Sequence, residues 1–137
     1  MSAPDIFVPE PEGLSLLFHQ KAVETGTLHV QRCDDCGHFR HPPRYRCPEC
    51  FSAAWTFVPA AGTGTIYSYV VSHRSLHPAW AELAPHVTVA VALDEGPRVV
   101  AALRDAGPGD AALGQPVRLS VEAKSDDFVF VWADLAG

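Results

Sequence analysis

Residues 33–50 run CDDCGHFRHPPRYRCPEC, and they hold all four cysteines of the chain as Cys33-x-x-Cys36 and Cys47-x-x-Cys50, with ten residues between the pairs. A C-x-x-C turn brings two sulfurs within reach of one ion, and two such turns supply a closed tetrahedral thiolate shell of the kind zinc prefers. Gly37 directly after the first pair suits a turn that needs a positive φ, and Pro48 stiffens the second. Two disulfides are the alternative reading, disfavoured in a chain that shows no export signal. Iron is the other, because C-x-x-C-G followed by C-P-x-C also resembles rubredoxin knuckles, although rubredoxin pairs lie farther apart. Four thiolate ligands leave no open position for water or substrate, so the metal's work here is structural: it fastens an insert too small to own a core.

Outward from this insert the chain divides in three. Residues 1–27 form a leader and a helix, in which GLSLLFHQKAVET (13–25) spaces Leu14, Leu17, Phe18, Lys21 and Ala22 by threes and fours and Gly26 supplies a stop. Residues 28–53 form the metal ribbon, entered through an alternating strand at 28–31. Residues 54–137 form a β domain, with strands expected at 55–58, 64–73, 87–93, 98–103, 116–123 and 128–132. Val87, Val89, Val91 and Leu93 alternate with lighter residues, and Asp94-Glu95-Gly96-Pro97 is a tight connection, so the flanking strands should make an antiparallel hairpin. The fold class is therefore mainly β: a short N-terminal helix, a rubredoxin-like zinc ribbon, then a five-stranded OB-fold barrel.

The 137 residues are 47% hydrophobic and 19% charged, enough to bury one core and too few for two enzyme domains. The formal charge is −6, and only residues 28–50 lean basic, setting four arginines against three acids. A phosphate-backbone partner needs positive charge gathered on one surface, so a nucleic-acid binder is disfavoured, although an OB fold keeps a single-strand module as an alternative. No apolar run reaches the length of a membrane span, and the first residues lack the basic and apolar regions of a signal peptide, so a cytoplasmic location is expected.

No side chains are assigned catalytic roles. The sequence holds no G-x-S-x-G elbow, no H-E-x-x-H and no cysteine outside the metal set, and Gly62-x-Gly64 lacks the third glycine of a dinucleotide loop and reads as a turn. The polar candidates are His73, Arg74 and His77 at the end of the long strand, with Arg40 and Arg44 in the ribbon: each suits an anion, a partner carboxylate, or plain solvation. The aromatic candidates are Tyr67 and Tyr69, taken to share one face of their strand, together with Trp80, Phe128, Phe130 and Trp132. These either pack the core or face a partner. Three rings on the last strand and an amphipathic helix exceed the needs of a small barrel, which predicts a permanent partner chain.

Taken in order, VQRCDDCG (30–37), RHPPR (40–44), CPEC (47–50), Trp55, GTGTIYSY (62–69), His73-Arg74, His77-Pro78 and DEGPR (94–98) resemble the proteins that join an N-terminal zinc ribbon to a C-terminal OB fold, catalogued as domain of unknown function 35. The resemblance runs from about residue 14 to about residue 120. It implies work with coenzyme A thioesters, as a small non-catalytic partner that stabilises or bridges larger enzymes or adds to their CoA surface. With a thiolase-like partner the implied chemistry is retro-aldol cleavage of a steroid side-chain acyl-CoA, thiolysis or condensation; with a hot-dog-fold partner it is enoyl-CoA hydration. The implied cofactors are structural Zn2+ and, for the complex, a CoA thioester.

Overall fold

Helix α1 spans Gly13–Thr25 and ends where Gly26 takes the left-handed conformation at φ 70°, its N–H closing on the Ala22 carbonyl at 2.8 Å. Only glycine adopts that conformation without a Cβ penalty. The computed structural model describes residues 2–4, 8–74, 78–81 and 85–136, the Trp80 side chain excepted. After α1 come β1 (His29–Cys33), β2 (Phe39–Arg40) and β3 (Trp55–Pro59), an antiparallel three-stranded sheet in the order β2-β1-β3. Then follow β4 (Thr63–Ser72), the short helix α2 (Pro78–Ala81), β5 (His86–Leu93), β6 (Arg98–Leu103), a 3-10 turn at Pro108–Asp110, β7 (Pro116–Ser125) and β8 (Phe128–Leu135). These five strands close a barrel in the order β4-β5-β6-β8-β7, with every pairing antiparallel except β6 with β8. A three-strand meander whose last strand meets the fifth in parallel is the OB arrangement.

Each barrel strand follows its hydrophobic alternation. In β5 the residues Val87, Val89, Val91 and Leu93 are buried and those between them are not, and the 94–97 turn returns the chain as β6, with Leu93 N–H bonded to the Pro97 carbonyl at 2.9 Å. Gly64 lies so close to β5 that an added Cβ would sit 2.3 Å from the Ala92 carbonyl oxygen, so this glycine is a packing requirement of the strand as well as part of a turn signal.

Two expectations change. The strand at Trp55–Pro59, grouped by sequence with the barrel, pairs along its whole length with β1 and completes the ribbon's sheet. In β4 the register slips between Ile66 and Ser68, leaving Tyr67 as an extra residue. Tyr69 then lies opposite Val89, an inward residue, while Tyr67 stays on the outer surface under the Arg98 guanidinium at 3.6 Å. The two tyrosines do not share a face, because one inserted residue reverses the alternation beyond it.

A single apolar cluster joins the parts. Phe18 of α1 and Leu28 and Val30 at the ribbon's entry belong to the same core as Ile66, Val89, Val99 and Val117 of the barrel. Part of the helix's apolar stripe is used inside the chain: Phe18 and Ala22 are buried while Leu17 is exposed, and α1 packs on β8, β7 and β1. The segment before it is also tied down, since Ala3 donates to Glu122 Oε1 at 3.1 Å and accepts from Lys124 Nζ at 2.8 Å. Among the described residues no helix is long and apolar enough to cross a membrane.

Candidate metal centre and the adjoining groove

Two matching turns build the metal centre. In the first, Gly37 N–H bonds the Cys33 carbonyl at 3.0 Å and Cys33 N–H bonds that of His38 at 2.9 Å; in the second, Phe51 N–H bonds the Cys47 carbonyl at 2.9 Å and Cys47 N–H bonds that of Ser52 at 3.0 Å. Gly37 and Phe51 occupy equivalent places, both with positive φ, at 78° and 64°. The turns are locked by Asp35 accepting from Ser52 and by Asp34 accepting from Thr56 at 2.8 Å. Gln31 on β1 pins the loop between them, donating to the Arg44 carbonyl at 2.9 Å and accepting from the Arg44 N–H at 2.8 Å.

The four sulfurs lie within 4.8 Å of one another, with Cys33 to Cys50 at 3.6 Å and Cys36 to Cys47 at 3.5 Å. A tetrahedron with bonds of about 2.3 Å places its sulfurs about 3.8 Å apart, so the set fits one zinc ion. The electrostatics agree. The Cys36 backbone amide, ahead of other contributions, holds the Cys33 thiol down at about 6. At Cys50 the Ser52 amide pulls the same way, but burial and the three neighbouring sulfurs outweigh it and push the thiol up to about 12. Crowded sulfurs resist becoming thiolates together, and a divalent cation removes that resistance.

The polar candidates separate. Arg40 is only 5% exposed, and its Nη2 donates to the Arg44 carbonyl at 2.8 Å, so it braces the loop and is not an open anion clamp. Arg44 is exposed, as are His73 and Arg74; His77 lies outside the described residues. Trp132 is 2% exposed and its indole donates to Glu122 Oε1 at 2.8 Å, which removes it from the candidate contact surface: a ring flanked by β6, β7 and a carboxylate is part of the wall. Burial opposes charge on that carboxylate, yet Trp132, the Ala3 amide and Lys124 together hold it below the usual range. Tyr67 and Tyr69 are exposed, and Phe128 and Phe130 are half-buried.

Phe128 and Phe130 do come together with Arg74, along a groove of about 840 Å³ where α1, the ribbon loop and the barrel meet. Its lining adds Phe18, His41, Arg98 and Val100, none of them among the site candidates drawn from the sequence. Phe18 comes from α1, His41 from the ribbon loop and Arg98 and Val100 from β6, so no local spacing could have announced them. His41 packs against Phe18 at 4.9 Å between centroids, and burial, helped by nearby His19, lowers it from the ordinary 6.5 to about 4. It is neutral at physiological pH.

Comparison with known proteins agrees with this architecture. Residues 21–56 match the ChsH2 rubredoxin-like zinc ribbon domain, and residues 57–122 match the ChsH2 C-terminal OB-fold domain. The chain is 43% identical over 102 residues to a probable enoyl-CoA hydratase alpha subunit of Thermomonospora curvata, covering 74% of this chain and 31% of that protein. It is 32% identical over 129 residues to the 3-oxo-4,17-pregnadiene-20-carboxyl-CoA hydratase alpha subunit of Mycobacterium tuberculosis, covering 94% of this chain and 40% of that protein. It thus spans less than half the length of both relatives. Among solved structures it superimposes on a chain of an Ltp2-ChsH2(DUF35) aldolase with a TM-score of 0.83 and 35% identity, covering 95% of this chain and 100% of that one. A four-cysteine zinc ribbon fused to an OB barrel, superimposable over nearly its whole length on a DUF35 chain, places this protein in the DUF35 family of zinc-ribbon and OB-fold proteins.

Proposed function

We propose that this chain is a non-catalytic scaffold subunit of an acyl-CoA-processing complex, held by a thiolase-like enzyme that carries the catalytic residues. The observation that carries the reading is the full-length superposition on the DUF35 chain of an aldolase complex. The reaction we assign first is retro-aldol cleavage of a steroid side-chain acyl-CoA, with thiolysis or condensation as variants. A hydratase is the second partner class, favoured by the two hydratase alpha subunits whose sequences this chain matches. In either complex Cys33, Cys36, Cys47 and Cys50 hold a structural Zn2+ that shapes the ribbon and takes no part in bond making. The exposed Arg74, His73 and Arg44 are the chain's candidates for contact with the partner or with the CoA thioester.

Co-purification from the source cells, with mass spectrometry and metal analysis, tests this. Recovery of a thiolase-fold enzyme whose solubility or acyl-CoA turnover depends on this chain is the expected result, with one zinc per chain. Recovery of a hydratase alone moves the assignment to the second class. A zinc-loaded monomer that stimulates neither enzyme, or a salt-sensitive affinity for single-stranded nucleic acid, overturns it.

A further inference from the structure

Among the described residues the β6–β8 seam that closes the barrel is short. The β6–β8 ladder consists of Ala102 with Trp132 and Leu103 with Ala133, and the residues before it, Arg98–Ala101 and Phe128–Val131, line the groove. Leu93 N–H faces Pro97, so by antiparallel alternation Val91 and Val89 face Val99 and Ala101, and the backbone groups of Arg98 and Val100 turn away from β5. They point to the side where the described residues place no strand. On the opposite lip the fold supplies a stopper: Val129 N–H donates to His19 Nδ1 of α1 at 3.1 Å. Nothing comparable covers Arg98 or Val100 among the described residues, and the 840 Å³ groove lies along this open edge.

We infer that the open edge of β6, from Arg98 to Ala101, is a β-augmentation site for an extended segment of the partner enzyme in which acidic residues flank aliphatic ones. This deepens the proposed function and rests on it. Proteins protect exposed strand edges with charged side chains, prolines or bulges; Val99-Val100-Ala101 carries none of these, and Arg98 is the one charge on the stretch. The edge offers about four residues, roughly 13 Å, of unpaired ladder. Val100 is 65% exposed, and Phe130 lies across the groove, giving apolar seats to alternate side chains of an added strand. The rim selects for acid: Arg74 and Arg98 line it, no Asp or Glu among the described residues does, and stacking on Tyr67 holds the Arg98 guanidinium in place. A second copy of this chain fits less well, since each carries a net charge of −6.

The experiment is single-amide hydrogen exchange on the full chain, alone and in complex with its co-purifying acyl-CoA enzyme, with affinities for Val100→Pro and Arg98→Glu. Proline at 100 removes an N–H that points away from β5, so the barrel's own ladder is spared. We expect the amides of Arg98 and Val100 to become protected in the complex, and each substitution to weaken association about tenfold with zinc content and Tm unchanged. Should Val100→Pro fail to fold, protection in the wild-type chain and the Arg98→Glu affinity still decide. A full-strength complex with no protection at these two amides overturns the inference and leaves the proposed function standing. No complex with either enzyme class removes both. Protection that grows with chain concentration, without the enzyme, assigns the edge to self-association and overturns it.

Discussion

Phe51 and Gly37 perform the same task in the two metal-binding turns, yet one carries a side chain in a conformation that disfavours it. The Phe51 ring is 74% exposed, so little packing offsets the cost. Phe51→Gly should therefore stabilise the folded chain, by about 0.5–1 kcal/mol once glycine's greater freedom in the unfolded state is counted. Urea unfolding of the zinc-loaded protein measures it, and a fall in stability would show that the ring is used. Gly64 is the opposite case. A methyl group there meets the Ala92 carbonyl oxygen and a Val91 methyl at 2.3 and 2.8 Å, both on a strand that cannot retreat. Gly64→Ala should cost about 3 kcal/mol, visible in the same assay.

At the scale of elements, the joint between α1 and the ribbon rests on two histidines that do different work. His19 stacks on Phe128 at 4.6 Å and caps a β8 amide, whereas His41 sits against Phe18 with its Nδ1 buried and without a hydrogen-bond partner. His41 binds its proton at about 4 in the folded chain and near 6.5 when unfolded, so the unfolded state takes up more protons between those values. The stability due to neutral His41 is complete above pH 6.5 and is lost as pH falls toward 4, at up to about 1.4 kcal/mol per pH unit. His41→Phe keeps the ring contact and should flatten the stability profile across that window. An unchanged slope would shift the acid sensitivity to the carboxylates.

For the whole molecule, the shared core sets what zinc removal does. Phe18, Leu28 and Val30 lie in one cluster with the barrel's valines, so the ribbon's entry strand cannot loosen without exposing barrel core. Stripping zinc with a chelator, or Cys47→Ser, should lower the Tm of one cooperative transition without leaving an intact barrel above a melted ribbon. Calorimetry of the metal-free chain checks this, and two separated transitions would show that the parts are energetically independent. Much of this architecture was legible beforehand. The cysteine spacing, the 13–25 helix with its glycine stop, the β5 alternation and the 94–97 hairpin are local patterns that short-range sterics and burial translate directly into structure. The placement of Trp55–Pro59 in the ribbon, the slip at Tyr67, the burial of Trp132 and Arg40, and the groove itself were not. Each depends on which distant strand arrives alongside.

The sequence by itself determined the metal chemistry, the order of helix, ribbon and barrel strands, and the absence of recognised catalytic motifs, because ligand type, spacing and hydrophobic period are properties of neighbouring residues. Only the tertiary structure decided which arginines and aromatic rings remain on the surface, and that among the described residues no strand covers the Arg98–Ala101 edge of β6 beside a cationic rim. Those outcomes follow from strand register and barrel closure, which long-range pairing sets and no local stretch encodes.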